Sequence, residues 1–100
     1  MSFVQIIEFS TEKIDEVEKL SAEFRERRMK EGGPKPSRMI LGRDRDRENT
    51  YFRIVQFDSY EDAMENSKRP DTTELSQRMA ALCDGAPKFV NLDVIADETL

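Results

Sequence analysis

The chain has 100 residues, of which 37% are hydrophobic and 37% charged, and its net charge is −5 at neutral pH. That length makes one domain over residues 1–100, and an acidic surface of dispersed charge argues against nucleic acid and anionic membranes as partners. One cysteine, Cys83, rules out an intrachain disulfide and fits a reducing, cytoplasmic compartment, while no apolar run has the length of a membrane span and no signal-peptide core opens the chain.

Residues 2–9 alternate as a first strand, with Phe3, Gln5, Ile7 and Phe9 on one face and Val4, Ile6 and Glu8 on the other. Ser10 and Thr11 are cap residues for a long helix whose buried stripe is Ile14, Val17, Leu20 and Phe24. Its acidic first half and basic end follow the helix dipole, and Gly32-Gly33-Pro34 stops it. A second strand is expected over 37–46, with Met39 and Leu41 on one face and Ile40 on the other. Its distal half, Arg43 to Glu48, is almost all charge and reads as a solvated hairpin arm. Asn49 sits in the turn into the third strand.

That third strand, Thr50 to Asp58, is the most strand-like run in the chain and is largely apolar on both faces, so something must cover both. Ser59 caps a short helix through Ser67, Pro70 ends it with Arg69 extended, and Asp71 to Glu74 starts another helix whose stripe is Leu75, Met79 and Leu82. Gly85 and Pro87 stop that helix, and residues 88–96 form the last strand.

The order predicts an α+β, ferredoxin-like βαββαβ domain: one antiparallel four-stranded sheet with its helices on one face. A purely apolar set fits the helix-covered side: Val4, Ile6, Met39, Leu41, Phe52, Ile54, Val90, Leu92 and Val94. The opposite side would then carry Phe3, Ile7, Phe9, Tyr51, Val55, Phe57, Phe89 and Ile95, and a second copy of the same sheet is its simplest cover. A homodimer through the sheet face is therefore expected. Among those aromatics the same face holds Gln5, Arg53, Asn91 and Asp93. Either they satisfy one another, Arg53 with Asp93 and Gln5 with Asn91, or they are the convergent polar groups of a small-molecule pocket.

This plan, with Gln56-Phe57-Asp58-Ser59-Tyr60-Glu61-Asp62-Ala63-Met64 after the central strand, resembles the dimeric α/β-barrel proteins and, more narrowly, the antibiotic biosynthesis monooxygenase-like group. The resemblance covers nearly the whole chain through features that mostly encode fold. It implies ligands held between sheet and helices or inside each protomer's barrel, and dimers packed sheet to sheet. It also places Phe57 at the aromatic position and Ile7 at the amide position of haem-degrading relatives, with Gln5 one step along. Asn66 and Ser67 stand where many relatives carry a histidine. The chain has no histidine, which excludes histidine-ligated haem and a histidine base, and no cofactor or metal set is expected.

Glycine-rich phosphate loops, Cys/His metal sets and Ser or Cys nucleophile pairs are all missing, and Cys83 reads as a small packing residue. What remains for catalysis is Asp93 as proton acceptor and Arg53 as the group stabilising an enolate or phenolate, with Gln5, Ile7, Tyr51, Phe57 and Asn91 binding substrate. The function expected is small-molecule binding, with cofactor-independent monooxygenation of a small aromatic or polyketide-like compound as the reaction. The alternative is a non-catalytic ligand-binding or structural homodimer. An amino-acid-sensing module ranks last because no catalytic or DNA-binding partner domain is fused to the chain.

Overall fold

The computed structural model describes residues 2–100. Its elements are β1 (Phe3–Ser10), α1 (Ile14–Glu31), β2 (Arg38–Arg43), β3 (Thr50–Phe57), α2 (Tyr60–Ser67), α3 (Pro70–Leu82) and β4 (Lys88–Asp93). The four strands form one antiparallel sheet in the order β2-β3-β1-β4. This is the α+β, ferredoxin-like plan expected, with its second helical crossover split in two at Pro70. Arg69 is extended there, as a residue before proline must be, and Pro70 takes the first helical position, where its missing N–H costs nothing.

Local chemistry sets the other boundaries. Ser59 is the expected cap of α2; its Oγ accepts the Asp62 N–H at 3.1 Å. The start of α1 differs from expectation, because Lys13, not Ser10 or Thr11, precedes the helix and no side chain caps it. Thr11 is fully buried and uses its hydroxyl elsewhere: it accepts the Lys13 N–H at 3.0 Å and donates to the Leu82 carbonyl at 2.6 Å. It thereby ties the β1–α1 junction to the end of α3. Strand β2 stops at Arg43, and the Asp44 carboxylate organises the following turn by accepting the N–H groups of Asp46 and Arg47. Asn49 occupies the left-handed region there, with φ 56°. Arg47 reaches back to Glu8 on β1, so the charged arm is fastened to the sheet.

The faces of the sheet correct the expectation. The register pairs Phe3 with Phe57, Gln5 with Val55, Ile7 with Arg53 and Phe9 with Tyr51. This row, together with Met39 and Leu41, faces the helices, because Phe3, Val55 and Phe57 pack with Ala63, and Phe9 and Tyr51 pack with Val17. Phe3, Phe9, Tyr51, Val55 and Phe57, expected outside, are buried inside with Ile7 beside them, whereas Phe89 and Ile95 of that set stay 56% and 93% exposed; Met39 and Leu41 keep their expected helix-side place. The reason lies in treating a core as purely apolar. Here the large aromatics stand at the two ends of β1 and β3, and each end makes its own core. Phe3, Val55, Phe57 and Ala63 form one, with Met39 and Met64 against it. Phe9, Val17 and Tyr51 form the other, with Ile14, Leu41, Met79 and Leu82. Gln5, Ile7 and Arg53 lie between them, in mid-strand, where neither core closes.

The open face consequently carries Val4, Ile6, Ile40, Phe52, Ile54, Val90 and Leu92. Ile40, Ile54, Ile6 and Val90 are register partners in a row across all four strands. Ile40, Val90 and Leu92 remain 44%, 50% and 42% exposed. Strand β4 is exposed along its whole length and ends at Asp93, short of residue 96.

Candidate functional site

Between the two cores a cleft of about 990 Å³ opens between the sheet and the helices. Gln5, Ile7, Arg53, Val55, Phe57 and Phe89 line it from the sheet. Helix α1 contributes Val17, Ser21, Phe24, Arg25, Arg28 and Met29. The other wall comes from Met64 and Asn66 of α2, and from Leu75, Met79, Cys83 and their neighbours around α3. By area the lining is mostly apolar, and polar and basic side chains are interspersed in it, a mixture that suits a small-molecule site.

Four of the seven residues expected at the site therefore line one cavity: Gln5, Ile7, Arg53 and Phe57. The other three do not. Tyr51 is buried in the second core, stacked on Phe9 at 5.7 Å between ring centroids. Asn91 is exposed and accepts a hydrogen bond from Gln5 Nε2 at 3.0 Å, which is the pairing expected of those two residues. Asp93 is exposed, pairs in register with Phe3 at the far end of β1, and lines no part of the cleft. Arg53 is in register with Ile7, and through it with Phe89, four residues along β4 from Asp93. The expected Arg53–Asp93 ion pair is not made, and Asp93 stands outside the cavity, where it cannot take a proton from a molecule bound inside.

Arg53 is the unusual group. Its Nη1 donates to Ser21 Oγ at 3.2 Å, and its Nε is buried with no acceptor. Its guanidinium lies 5.9 Å from the centroid of the Phe9 ring, and no carboxylate of the described residues stands within ion-pair distance. Burial lowers its pKa from the ordinary arginine value, and the like charge of Arg25 adds to the effect. A guanidinium stays charged through such a shift, and although Glu18 acts at a distance against the effect of burial, the floor of the cleft holds a cation with no direct ion-pair partner among the described residues.

Arg28 is the opposite case. Nε and Nη2 donate to Asp71 Oδ2 at 3.3 and 2.8 Å, Nη2 also reaches Thr72 Oγ1 at 3.1 Å, and Nη1 serves the Pro34 carbonyl and Asn66 Oδ1. Arg69 Nε donates to the other oxygen of the same carboxylate at 3.1 Å. Burial pushes the Asp71 carboxyl upward, but the hydrogen bonds from Arg28 and Arg69 outweigh it and hold its pKa below the usual value. One arginine thus fastens the end of α1, the loop before β2, α2 and α3 into a fixed mouth. Arg69 closes the loop from the other side. Gly33 lies against the Arg69 guanidinium with φ +100°, a left-handed backbone that favours glycine.

Among the described residues no free general base lines the cleft. Asp71 is its single carboxylate among those residues and is held by two arginines. The Cys83 thiol is pushed up by burial and by Asp84, with Arg53 acting weakly against them; it is a packing residue, as expected. Ser21, Arg25, Arg28 and Asn66 were not among the expected site residues. The signal for three of them is present, since Val17, Ser21, Phe24, Arg25 and Arg28 continue one helical stripe at three- and four-residue spacing, but polar members of such a stripe read as its solvated edge.

No protein-family model matches the chain, and no curated protein matches it. Solved structures do. A Caulobacter crescentus CB15 protein provisionally described as an antibiotic biosynthesis monooxygenase superposes with a TM-score of 0.78 at 18% identity, covering 95% of this chain and 91% of that one. SnoaB of Streptomyces nogalater, described as a cofactor-independent oxygenase, gives 0.77 at 19% identity over 99% of this chain and 96% of its own. A protein of Mycobacterium tuberculosis gives 0.76 at 12% identity over 99% and 100%. Likeness at this level across nearly the whole of both chains establishes architecture: the chain has the fold of the antibiotic biosynthesis monooxygenase-like proteins.

Proposed function

We propose that the chain binds a small, largely apolar molecule between its sheet and helices, and that it acts as a cofactor-independent monooxygenase on a small aromatic or polyketide-like compound. The observation that carries the reading is the cleft itself, apolar between two separate cores and floored by an uncompensated Arg53. In such a reaction the substrate anion gives an electron to dioxygen, so the protein must exclude water and favour the anion. Arg53 performs the second task by lowering the substrate's own pKa, with the proton leaving through the open mouth to solvent. SnoaB supports the chemistry through its described activity and shared fold.

The test is oxygen uptake with an ionisable tricyclic ketone such as 1,8-dihydroxyanthrone, measured against its slow spontaneous oxidation. Uptake that rises with protein concentration, and falls about 10²-fold or more in Arg53→Gln, is expected. Binding without uptake would favour the second reading, a non-catalytic ligand-binding homodimer. That reading draws support from the lack of a free base in the cleft.

We also propose a homodimer, now through the open face of Val4, Ile6, Ile40, Phe52, Ile54, Val90 and Leu92, a contiguous apolar patch that a second sheet would cover. Ile54→Asp, at the centre of that row, should give a monomer at low micromolar concentration by light scattering. A dimer unchanged by that charge would place the interface elsewhere. A reducing, cytoplasmic location belongs to the same proposal and rests on the single cysteine; among the described residues no helix is long and apolar enough to cross a membrane.

A further inference from the structure

The charge around the cleft runs against the charge of the chain. The whole sequence carries a net −5, yet the cleft is lined by Arg25, Arg28, Lys35, Arg38 and Arg53 against the single carboxylate of Asp71. Arg28 and Asp71 satisfy each other. The remaining four cations have no carboxylate within 4 Å among the described residues. Three of them, Arg25, Lys35 and Arg38, are exposed at the rim, and Arg53 is at the floor, half-buried. A solvated face of a protein with 21 acidic and 16 basic residues should not by chance gather five cations and one anion around one cleft.

We infer that the ligand of this cleft carries a fixed anionic group, a carboxylate on a two- or three-ring aromatic body, which the Arg53 guanidinium holds while Arg25, Lys35 and Arg38 draw it in. The inference rests on the proposed small-molecule site and adds the chemical class it selects. The Nη edge of Arg53 lends only one contact to the protein, at Ser21, and a planar fork of N–H donors matches a carboxylate. Apolar walls on both sides supply the low-dielectric setting in which that contact discriminates most. The rim cations put positive charge at the mouth of a chain whose net charge of −5 would repel an anion at distance. The volume of about 990 Å³ accommodates a body of several rings with room for water at the mouth.

The experiment is titration calorimetry with 1-hydroxy-2-naphthoate and with its neutral methyl ester, on the wild-type protein and on Arg53→Gln. The acid should bind the wild type about 10- to 100-fold more tightly than the ester, and raising the salt concentration should weaken the acid alone. In Arg53→Gln the acid should fall to the affinity of the ester, whose own affinity stays unchanged. Equal affinity of acid and ester for the wild type would overturn the inference and leave the small-molecule site standing. A preference for the acid that survives Arg53→Gln would also overturn it, by removing Arg53 as the anion's seat. If neither compound binds at millimolar concentration, the site itself fails and the inference with it. Thermal melting of Arg53→Gln, expected at or above the wild-type midpoint, shows that lost binding is not lost folding.

Discussion

Arg28→Ala is expected to destabilise the fold by about 3–5 kcal/mol, the usual cost of removing one partner from a buried ion pair. The side chains of Arg28 and Asp71 are only 12% and 17% exposed, so little water can replace the lost guanidinium. The loss also leaves the Pro34 carbonyl, Asn66 and Thr72 without their donor. Against a total stability of about 5–15 kcal/mol for a domain of this size, denaturant melts should show a much lower midpoint. The pH dependence supplies a second reading. The folded pKa of Asp71 is depressed, so its contribution is complete above the ordinary carboxylate pKa near 3.8 and is lost as pH falls through the lower folded value. Wild type should lose this stabilisation in that acid window, and Arg28→Ala should already lack much of it at neutral pH. If Arg28→Ala melts within 1 kcal/mol of wild type, a figure typical of surface ion pairs, the clamp does not hold the helices.

Element order and type were legible from period and punctuation. Ser59 capped its helix, Pro70 broke the second crossover, and Asn49 took the turn. Strand phase was legible for β1, β3 and β4, since Gln5, Arg53, Asn91 and Asp93 do share a face, but not for β2, whose Met39 and Leu41 stand beside Val55 and Arg53 and not beside Phe52 and Ile54. Which face met the helices was not. Alternation reports two sides without labelling them, and here both are apolar. The deciding feature is where along each strand the bulk lies: Phe3 and Phe57 at one end, Phe9 and Tyr51 at the other. A core divided in this way tolerates polar residues in mid-strand, because the space between its halves is a cleft. That is why Gln5, Ile7, Arg53 and Phe57 lined the cavity although their face was assigned to the dimer. Asp93 failed for a different reason: sharing a face with Arg53 does not bring two residues together when the register sets them four residues apart. The Arg28 clamp was beyond sequence reading, since a basic residue in the last turn of a helix already has an adequate explanation in the dipole.

Arg53→Met should make the protein more stable. A side chain contributes to folding only through what it satisfies, and Arg53 has one neutral acceptor, Ser21, for five donors, one of which is buried without any partner. Its stem packs usefully and its ring contact with Phe9, at 5.9 Å, adds a little. Neither offsets taking an unpaired charge out of water beside Arg25. Methionine keeps the unbranched stem and removes the donors. A gain of about 1–2 kcal/mol is expected, discounted from the fully buried case because the guanidinium still meets water in the cleft, and it corresponds to a melting point higher by roughly 4–8 °C per kcal/mol for about 100 residues. The same variant should lose the discrimination between 1-hydroxy-2-naphthoate and its methyl ester. The two results together are the signature of a residue retained for binding at the expense of stability. A variant that melts several degrees below wild type would mean that the guanidinium is structural, with Ser21 and Phe9 as its partners, and the reading of the cleft floor as an anion seat would fall.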